Sequence, residues 1–426
     1  MKPFITLLLV IAFSNTRSQP LYFPPTSGNA WATMSPDSLG WCQEGIDSLY
    51  SYLAQTHTTA FMILKDGKIV LEKYFGSFTQ DSIHYWASAG KSLTAMLIGI
   101  AQDKGQVNIS NTVSSYLGNG WTVAPIEKES KITLRNLLAM TSGLNDNPTP
   151  PCDNEDPSVA CLQNLPGVDT GQRWAYHTGA YLQLQNVISA ASGQNINVYT
   201  ALNINNRIGM TGLWVNGVFY SKTRSMARFG LLALNKGVWA NDSLIRNTNY
   251  FNAMTNTSQV FNQAYGYLWW LNGKTSFLAP GLPFTFNGSL IPKAPDDMFA
   301  ALGKNDQKIY VVPSQRLVVV RTGESSYGVP VAFSPFDDLL WGKIDSLSYR
   351  CNYTFIGNGD WSIAANWEGG RIPPPQLQKM ATITINPQPN GECILNVPQT
   401  INSGTNLVIK TNARLRLMGN LEILQH

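Results

Sequence analysis

The sequence contains few charged residues. Asp, Glu, Lys and Arg make up 13% of its 426 residues, about half the share that is usual in soluble domains. The net charge is +4, and two of the basic residues that contribute to it, Lys2 and Arg17, lie in a leader described below. The other basic residues are scattered along the chain. This balance argues against nucleic acid or an anionic membrane surface as a partner.

Histidine is scarce as well. The four histidines are His57, His84, His177 and His426, and none lies at zinc-ligand spacing from another histidine or a cysteine. No glycine-rich loop of the phosphate-binding kind is present. The sequence therefore predicts no metal site and no cofactor.

Long apolar runs are missing after the first residues, so we expect no membrane-spanning helix. The first 18 residues combine Lys2, an apolar run over 4–13 and small residues near Ser18. That pattern is typical of a signal peptide, and no cysteine follows it that could carry a lipid. We therefore expect a secreted or periplasmic protein.

Five cysteines in an exported chain indicate disulfides with one thiol left over. Cys152 and Cys161 enclose a loop of Pro, Asp and Asn and form the best candidate pair. Cys351 with Cys393 is a plausible second pair. We expect Cys42 to lie in the core of a helix.

Strand patterns occur towards both ends of residues 19–350, and helical patterns fill the middle. A helical stripe covers residues 35–55, and Asp66-Gly67 marks a hairpin. A second hairpin has its turn at 313–315, and Ser334-Pro335 begins another helix. Hairpins in place of βαβ crossovers predict an α+β fold, an antiparallel sheet flanked by helices with a mainly helical subdomain.

The character of the chain changes after residue 350. A turn-rich stretch is followed by short strand patterns at even spacing. We interpret residues 351–426 as a small all-β module that could attach the protein to a surface or a glycan. The alternative, a packing extension of the domain over 19–350, stays open.

The stretch "WASAGKSLTAMLIGIAQDKG" holds Ser88 and Lys91 three residues apart where an apolar helix begins. On a helix these two side chains share a face. Burial would lower the pKa of the lysine enough for it to deprotonate the serine. The helix N-terminus would favour an oxyanion. The alternative is a capping serine beside a surface lysine. A Ser-His-Asp hydrolase is disfavoured, because Trp86 stands where its nucleophile-elbow motif has a glycine.

Further segments follow in a recognisable order: "SAGKSLTAMLIGIAQDKGQVNISNTVSSYL", "KITLRNLLAMTSGL", "SMARFGLLALNKGVW" and "YGYLWWL". Together they resemble the serine β-lactamase-like and penicillin-binding-protein-like superfamily, and most of all its carboxylesterase and 6-aminohexanoate-dimer hydrolase branch. The resemblance covers roughly residues 35–348. It implies a β-lactamase-like fold and acyl-enzyme chemistry on a small ester or amide, with Ser88 as nucleophile and Lys91 as base.

The same resemblance suggests the remaining site residues. In "RWAYHTGAYLQLQNVISAASG", Tyr176 matches the family's proton-relay tyrosine, although a packed core tyrosine is the alternative; Tyr181 is interpreted as packing. In "FAALGKNDQKIYVV", residues 301–303 match the family's Lys-Thr-Gly triplet. The backbone N–H groups of Ser88 and Lys304 would then form the oxyanion hole.

Two departures from the family pattern bear on the substrate. Tyr176-His177-Thr178 stands where lactam-recognising members have Tyr-x-Asn, and Ala301 replaces a basic residue. Both favour an ester or amide over penicillins. A β-lactamase or D-alanyl-D-alanine carboxypeptidase, or a non-catalytic binding protein on the same scaffold, remains an alternative. The predicted pocket residues, for whose tryptophans core packing is the alternative, are Trp86, Thr178, Trp269, Trp270, Ala301 and Gly303.

Overall fold

The structure, a computed structural model, describes residues 20–328, 333–347, 351–377 and 381–424. The predicted signal peptide, residues 1–18, lies outside these ranges. No helix within them is both long and apolar enough to cross a bilayer.

Helices are concentrated in the middle of the chain. Only one of them precedes the first strand, and one follows the last strand of the central sheet. Their bounds are α1 (Gln43–Gln55), α2 (Gly90–Asp103), α3 (Ser114–Leu117), α4 (Ile126–Glu129), α5 (Leu134–Leu138), α6 (Thr178–Ser192), α7 (Ile196–Thr200), α8 (Asn206–Ile208), α9 (Thr223–Leu234), α10 (Thr248–Met254) and α11 (Pro335–Asp345).

Strands are short except in the central sheet. Up to residue 347 they are β1 (Thr58–Lys65), β2 (Lys68–Tyr74), β3 (Ile83–Tyr85), β4 (Leu213–Val215), β5 (Val218–Lys222), β6 (Val238–Trp239), β7 (Asp242–Ser243), β8 (Trp270–Leu271), β9 (Ser276–Leu278), β10 (Thr285–Asn287), β11 (Phe299–Gly303), β12 (Gln307–Val312) and β13 (Leu317–Gly323). After residue 350 they are β14 (Asn352–Phe355), β15 (Gly359–Asp360), β16 (Thr382–Ile385), β17 (Cys393–Leu395), β18 (Gln399–Ile401), β19 (Asn406–Ile409), β20 (Leu415–Leu417) and β21 (Leu421–Ile423).

The central sheet has the order β2-β1-β13-β12-β11-β8, and every neighbouring pair is antiparallel. It therefore joins strands from the two ends of the domain, as the sequence predicts. The α+β expectation is confirmed. The first hairpin turns at Asp66 and Gly67, which both adopt positive φ (54° and 82°), the conformation that a two-residue type I′ turn requires.

Of the two helices predicted at the ends of the domain, one begins where it is expected and the other begins later. Helix α11 begins as predicted: Ser334 caps it and Pro335 occupies its first position. Helix α1 begins at Gln43 instead of continuing from residue 35, because Gly40 adopts φ 69° and ends a separate 3-10 turn, Pro36–Leu39. Cys42 consequently lies at the start of α1 and not within it.

Helix α2 lies in the interior of the domain. Every residue from Gly90 to Ala101 is buried, between the central sheet and α6. On the sheet, α9 packs closely enough that a Cβ on Gly230 would lie 2.5 Å from Val318 Cγ1. The apolar run after Lys91 is thus explained by burial on all sides of the helix.

Residues 351–377 and 381–424 form a β-rich region, also as predicted, but their strands pair in parallel. They form three parallel sheets with the strand orders β14-β16-β19, β15-β17-β20 and β18-β21. The region has an apolar cluster that also takes in Cys42 and is separate from the core of the main domain. That this region is a separate module, and that it attaches the protein to a surface or a glycan, remain predictions.

Cysteine pairing differs in part from expectation. Cys152 is bonded to Cys161. Cys351 is bonded to Cys42, so the pairing of Cys351 with Cys393 is wrong; Cys393 is a buried free thiol in the β-rich region. The position of β14 explains this pairing. The start of β14 lies beside α1, where the Tyr353 hydroxyl also donates to Glu44 Oε1 at 2.8 Å.

Candidate active site

Ser88 lies in a 3-10 turn, Ala87–Ala89, that leads directly into α2. The turn follows β3 and keeps Ser88 partly exposed, while Ala89 and Gly90 are buried. Ala87 adopts φ 48°, a left-handed conformation that costs a non-glycine residue about 1–3 kcal/mol. The segment therefore presents the hydroxyl at the start of a buried helix by holding its neighbour in a strained conformation.

The position of the Lys91 amine is the central feature of the site. Lys91 Nζ lies 2.9 Å from Ser88 Oγ, and the residue is only 3% exposed. Burial lowers the pKa of Lys91 from 10.5 to about 7, while the negative charge of Glu155 raises this pKa and the positive charge of Lys304 lowers it. An ordinary lysine at pH 7 is neutral in only about one molecule in 2,500. This lysine is neutral in a substantial fraction.

Two tyrosine rings face the same amine. Lys91 Nζ lies 4.9 Å from the centre of the Tyr176 ring and 4.6 Å from that of Tyr181. The ring faces favour the charged form of the amine and so act against its desolvation. They are positioned to stabilise an ammonium that forms when the amine accepts a proton.

Tyr176 remains protonated at neutral pH. Burial raises its pKa well above the usual value, and this outweighs a hydrogen bond with Ser88 that lowers it. A phenol in this state can donate a proton but is a poor base. Tyr181, interpreted as packing from the sequence, is also buried against Lys91 and accepts a hydrogen bond from Gln185 Nε2 at 3.1 Å.

Aromatic packing fixes the position of Tyr176. Its ring stacks on Trp270, with ring centres 6.0 Å apart and planes at 20°. Trp174 and Tyr265 pack edge-on or tilted against the same two rings, at 4.9–6.2 Å. These rings leave the phenol little freedom to turn away from Ser88.

The end of β11 forms the opposite side of the site. Strand β8 pairs only with Phe299 and Ala300, which leaves the last residues of β11 to pack against the 3-10 turn. Gly303 lies so close that a Cβ there would be 2.4 Å from Trp86 O and 3.1 Å from Ala89 N. Only a glycine allows this approach, so the backbone that leads into Lys304 is pressed against the segment carrying Ser88.

The turn after β11 is held from several directions. Asn305 and Asp306 both adopt φ 59°, as in a type I′ turn. Asn305 Nδ2 donates to the Tyr85 hydroxyl at 2.6 Å, which links the turn to the strand preceding Ser88. From below, the Arg321 guanidinium donates to the carbonyl oxygens of Asn305 and Asp306 at 3.0 and 3.1 Å.

A fully buried ionic cluster supports the same turn. Lys308 Nζ lies 3.1 Å from Asp306 Oδ1 and 2.9 Å from Asp337 Oδ1, and all three side chains are at most 2% exposed. Tyr310 donates its hydroxyl to Asp337. Removing one partner from such a cluster leaves an uncompensated buried charge and is strongly destabilising. The turn is therefore a rigid part of the site.

An ion pair joins the two sides of the site at the surface. Lys304 Nζ lies 3.2 Å from Glu155 Oε1, and both side chains are largely exposed. The loop carrying Glu155 is fixed on α6 by Asn154, whose side chain donates to Tyr176 O at 2.9 Å and accepts from Thr178 N at 2.9 Å. Being exposed, the pair itself contributes little stability, about 0–1 kcal/mol.

The sequence-predicted residues fall into two groups. Ser88, Lys91 and Tyr176 lie together, and Gly303 packs against the Ser88 segment; Thr178 is partly exposed at the start of α6 and Trp270 orients Tyr176. Trp86, Trp269 and Ala301 have no accessible surface, so their assignment to a substrate pocket is wrong.

Interior contacts explain why the two tryptophans do not line a pocket: Trp86 donates to Ser221 Oγ, and Trp269 stacks on Phe229. Glu155 and Tyr85 were not predicted from the sequence. The only signal for Glu155 was its place in the loop closed by Cys152 and Cys161.

His177, the middle residue of Tyr176-His177-Thr178, has a structural role. It is 1% exposed, and its Nδ1 accepts from Ala180 N at 3.3 Å to cap α6. Burial lowers its pKa to about 4, so it is neutral at pH 7. Within the described ranges, no group of three or more His, Cys, Asp or Glu side chains could hold a metal ion.

Known proteins share this arrangement of elements. A solved Bacillus anthracis structure assigned as a 6-aminohexanoate-dimer hydrolase matches with a TM-score of 0.58 at 16% identity, over 78% of this chain and 90% of that one. A family VIII carboxylesterase matches with a TM-score of 0.53 at 13% identity, over 76% and 99%. At these identities the likeness shows the fold alone.

Sequence comparison identifies the family. A Bacillus subtilis (strain 168) protein assigned as the penicillin-binding protein PbpX is 32% identical over 167 residues, 35% of this chain. The match spans 39% of that relative's length. The profile of the Beta-lactamase family matches residues 46–333, about two thirds of the chain, and this range includes Ser88, Lys91, Tyr176 and Lys304. The chain belongs to the Beta-lactamase family.

Proposed function

We propose that this protein is an exported serine hydrolase that cleaves ester or amide bonds through an acyl-enzyme. The observation that carries the proposal is the 2.9 Å separation of Lys91 Nζ and Ser88 Oγ in a setting that lowers the pKa of the amine to about 7. A base with a pKa near the working pH is the most effective one for general catalysis.

The first half of the reaction forms the acyl-enzyme. Neutral Lys91 takes the proton of Ser88 while Oγ attacks the carbonyl carbon, and the backbone N–H groups of Ser88 and Lys304 hold the oxyanion. As the carbonyl–leaving group bond breaks, the Tyr176 hydroxyl gives its proton to the leaving oxygen or nitrogen. The Lys91 ammonium then returns a proton to Tyr176.

The second half releases the acid product. Water attacks the acyl carbon and gives its proton to Lys91, and the same oxyanion donors hold the second tetrahedral intermediate. When the bond to Ser88 Oγ breaks, the proton passes back to the serine. The two tyrosine faces beside Lys91 favour the ammonium during both steps.

Esters and linear amides fit the site better than β-lactams. Ala301 supplies no charge for a carboxylate, and Thr178 stands where lactam-recognising members have an asparagine, so neither of the side chains that recognise lactams in the family has a counterpart here. Lys304 is the nearest replacement cation, but its side chain is paired with Glu155.

The test compares short-chain nitrophenyl esters and a linear amide as substrates for the wild-type protein and the Ser88→Ala variant. Ser77→Ala, at an exposed serine, is the matched control and should retain full turnover. Equal turnover by wild type and Ser88→Ala would assign the nucleophile to another residue. A reporter cephalosporin turned over faster than any ester would favour a β-lactamase, and failure of Ser88 to react with a serine-directed phosphonate would favour a binding protein.

A further inference from the structure

A cavity with a volume of about 760 Å³ lies far from Ser88. It is bounded by the last turn of α2, by α5 and by α10, and we call it the amide groove. Helix α2 has 14 residues, so its two ends are about 20 Å apart. Ser88 precedes one end, and Gln102 of the groove is on the other. The groove is thus a separate site whose size falls within the range of small-molecule sites.

Two glutamines present hydrogen-bond donors in this groove. Gln102 Oε1 accepts from Ile109 N at 3.1 Å, and Gln106 Oε1 accepts from the Tyr199 hydroxyl at 2.7 Å. These contacts fix which end of each amide is the oxygen. Both NH₂ groups are left without a hydrogen-bond acceptor among the residues described, although both side chains line the groove.

Tyrosine hydroxyls add to the same set. The Tyr116 hydroxyl accepts from Asn108 N at 2.8 Å and from Asn111 Nδ2 at 3.1 Å, so its own hydrogen is available for donation. Tyr267 is 5% exposed, lines the groove, and finds no hydrogen-bond partner for its hydroxyl in the described part of the chain. Both rings also offer apolar faces beside these donors.

Arg135 is the single charged residue of the lining, which contains no carboxylate. Its guanidinium is exposed and makes no ion pair or hydrogen bond with any described residue. Arg135 and Tyr267 line the same groove, and the positive charge of Arg135 lowers the pKa of that phenol, against the larger effect of burial. A guanidinium in this state can take a carboxylate with two parallel hydrogen bonds.

We infer that the amide groove binds a hydroxyl-rich saccharide that carries one carboxylate. The free donors of the groove match a ligand rich in acceptor oxygens, which a sugar ring supplies on every side. The tyrosine faces suit the C–H face of such a ring, and the one arginine matches one negative charge. A phosphate or a polyanion would meet only a single cation. This site is independent of the chemistry proposed for Ser88.

Calorimetric titration of the full chain with three probes tests the ligand class. D-glucuronate should bind with one-to-one stoichiometry, and D-glucose, which has the ring without the charge, should bind at least about tenfold more weakly. Acetate, which has the charge without the ring, should also bind more weakly. Equal affinities for glucuronate and acetate, or for glucuronate and glucose, would overturn the inference, as would the absence of glucuronate binding at about 10 mM.

Variants test the place of binding. Arg135→Gln should weaken glucuronate binding by about tenfold or more, since a hydrogen-bonded charge is lost, without changing ester turnover. The matched control is Arg246→Gln, at an exposed arginine outside the lining, which should leave binding unchanged. Ser88→Ala should also bind glucuronate as the wild type does. Loss of binding in Ser88→Ala, or unchanged binding in Arg135→Gln, would show that the ligand does not occupy the groove.

Discussion

Replacing Lys91 with methionine should make the protein more stable while it abolishes ester turnover. The pKa of Lys91 is about 7 in the fold, against 10.5 for an ordinary lysine, and each unit corresponds to about 1.4 kcal/mol. Below neutral pH the fold therefore loses roughly 4–5 kcal/mol by keeping this amine buried. Methionine has a similar length and carries no charge to desolvate, so it removes that cost.

The pH dependence separates this effect from ordinary packing changes. The unfolded chain keeps the Lys91 proton up to about pH 10, whereas the folded protein loses it near pH 7. Between these values the unfolded chain binds more protons, so the stability of the wild type rises with pH. The advantage of Lys91→Met should accordingly fall from roughly 4–5 kcal/mol near pH 6 to roughly 2 kcal/mol near pH 9.

Urea unfolding of both proteins at several pH values measures this difference. A packing loss or an altered contact with the tyrosine rings adds a constant offset, but it does not produce the expected slope. Lys104→Met, at an exposed lysine just past the other end of α2, is the matched control and should show no such slope. An advantage of Lys91→Met that stays constant or grows with pH would refute the idea that Lys91 is held with a lowered pKa.

Three further predictions concern the groups around this amine. Gly303→Ala should lower kcat about 10²–10³-fold, because its Cβ would lie 2.4 Å from Trp86 O and would displace the proposed oxyanion donor, the backbone N–H of Lys304. Glu155→Gln should move the acid limb of the kcat/KM–pH profile to lower pH, because the Glu155 charge raises the pKa of Lys91. Tyr85→Phe should lower kcat about 2–10-fold with little change in KM, since one hydrogen bond to the turn after β11 is lost.

Each of these predictions has an informative control or counter-result. Gly45→Ala, in α1, meets no atom closer than 3.4 Å and should leave kcat unchanged. An acid limb that does not move in Glu155→Gln, or that moves to higher pH, would mean that Glu155 does not stabilise the Lys91 ammonium. A Tyr85→Phe variant whose KM rises while kcat is unchanged would give Tyr85 a role in substrate binding instead of in positioning the turn.

The features that were predicted correctly from the sequence depend on neighbouring residues or on local backbone conformation. The spacing of Ser88 and Lys91 sets their distance once a helix forms, and Asp66-Gly67 and Ser334-Pro335 specify a turn and a helix start by themselves. The sheet followed from the position of hairpins along the chain. These features need no knowledge of which distant segments meet.

The features that were wrong or missed depend on distant contacts. Trp86 and Trp269 were assigned to a pocket because they lie beside the motifs in sequence, but neighbours from α9 and β5 bury them in the core. The bond between Cys42 and Cys351 spans 309 residues and could not be told from other pairings by spacing. Glu155 meets Lys304 only because a loop folds back onto α6.

The groups around Ser88 are held in states that they would not adopt alone. The amine of Lys91 loses its charge readily, Ala87 takes a left-handed conformation, and the turn at Asn305 and Asp306 does the same. Such states persist only where the surroundings determine them. Here the surroundings are the buried helix α2, the aromatic rings behind Tyr176 and the ionic cluster at Lys308. These three supports do not depend on the exposed ion pair between Lys304 and Glu155. In the proposed reaction we therefore expect this weak pair to open for a substrate while Ser88, Lys91 and Tyr176 keep their positions.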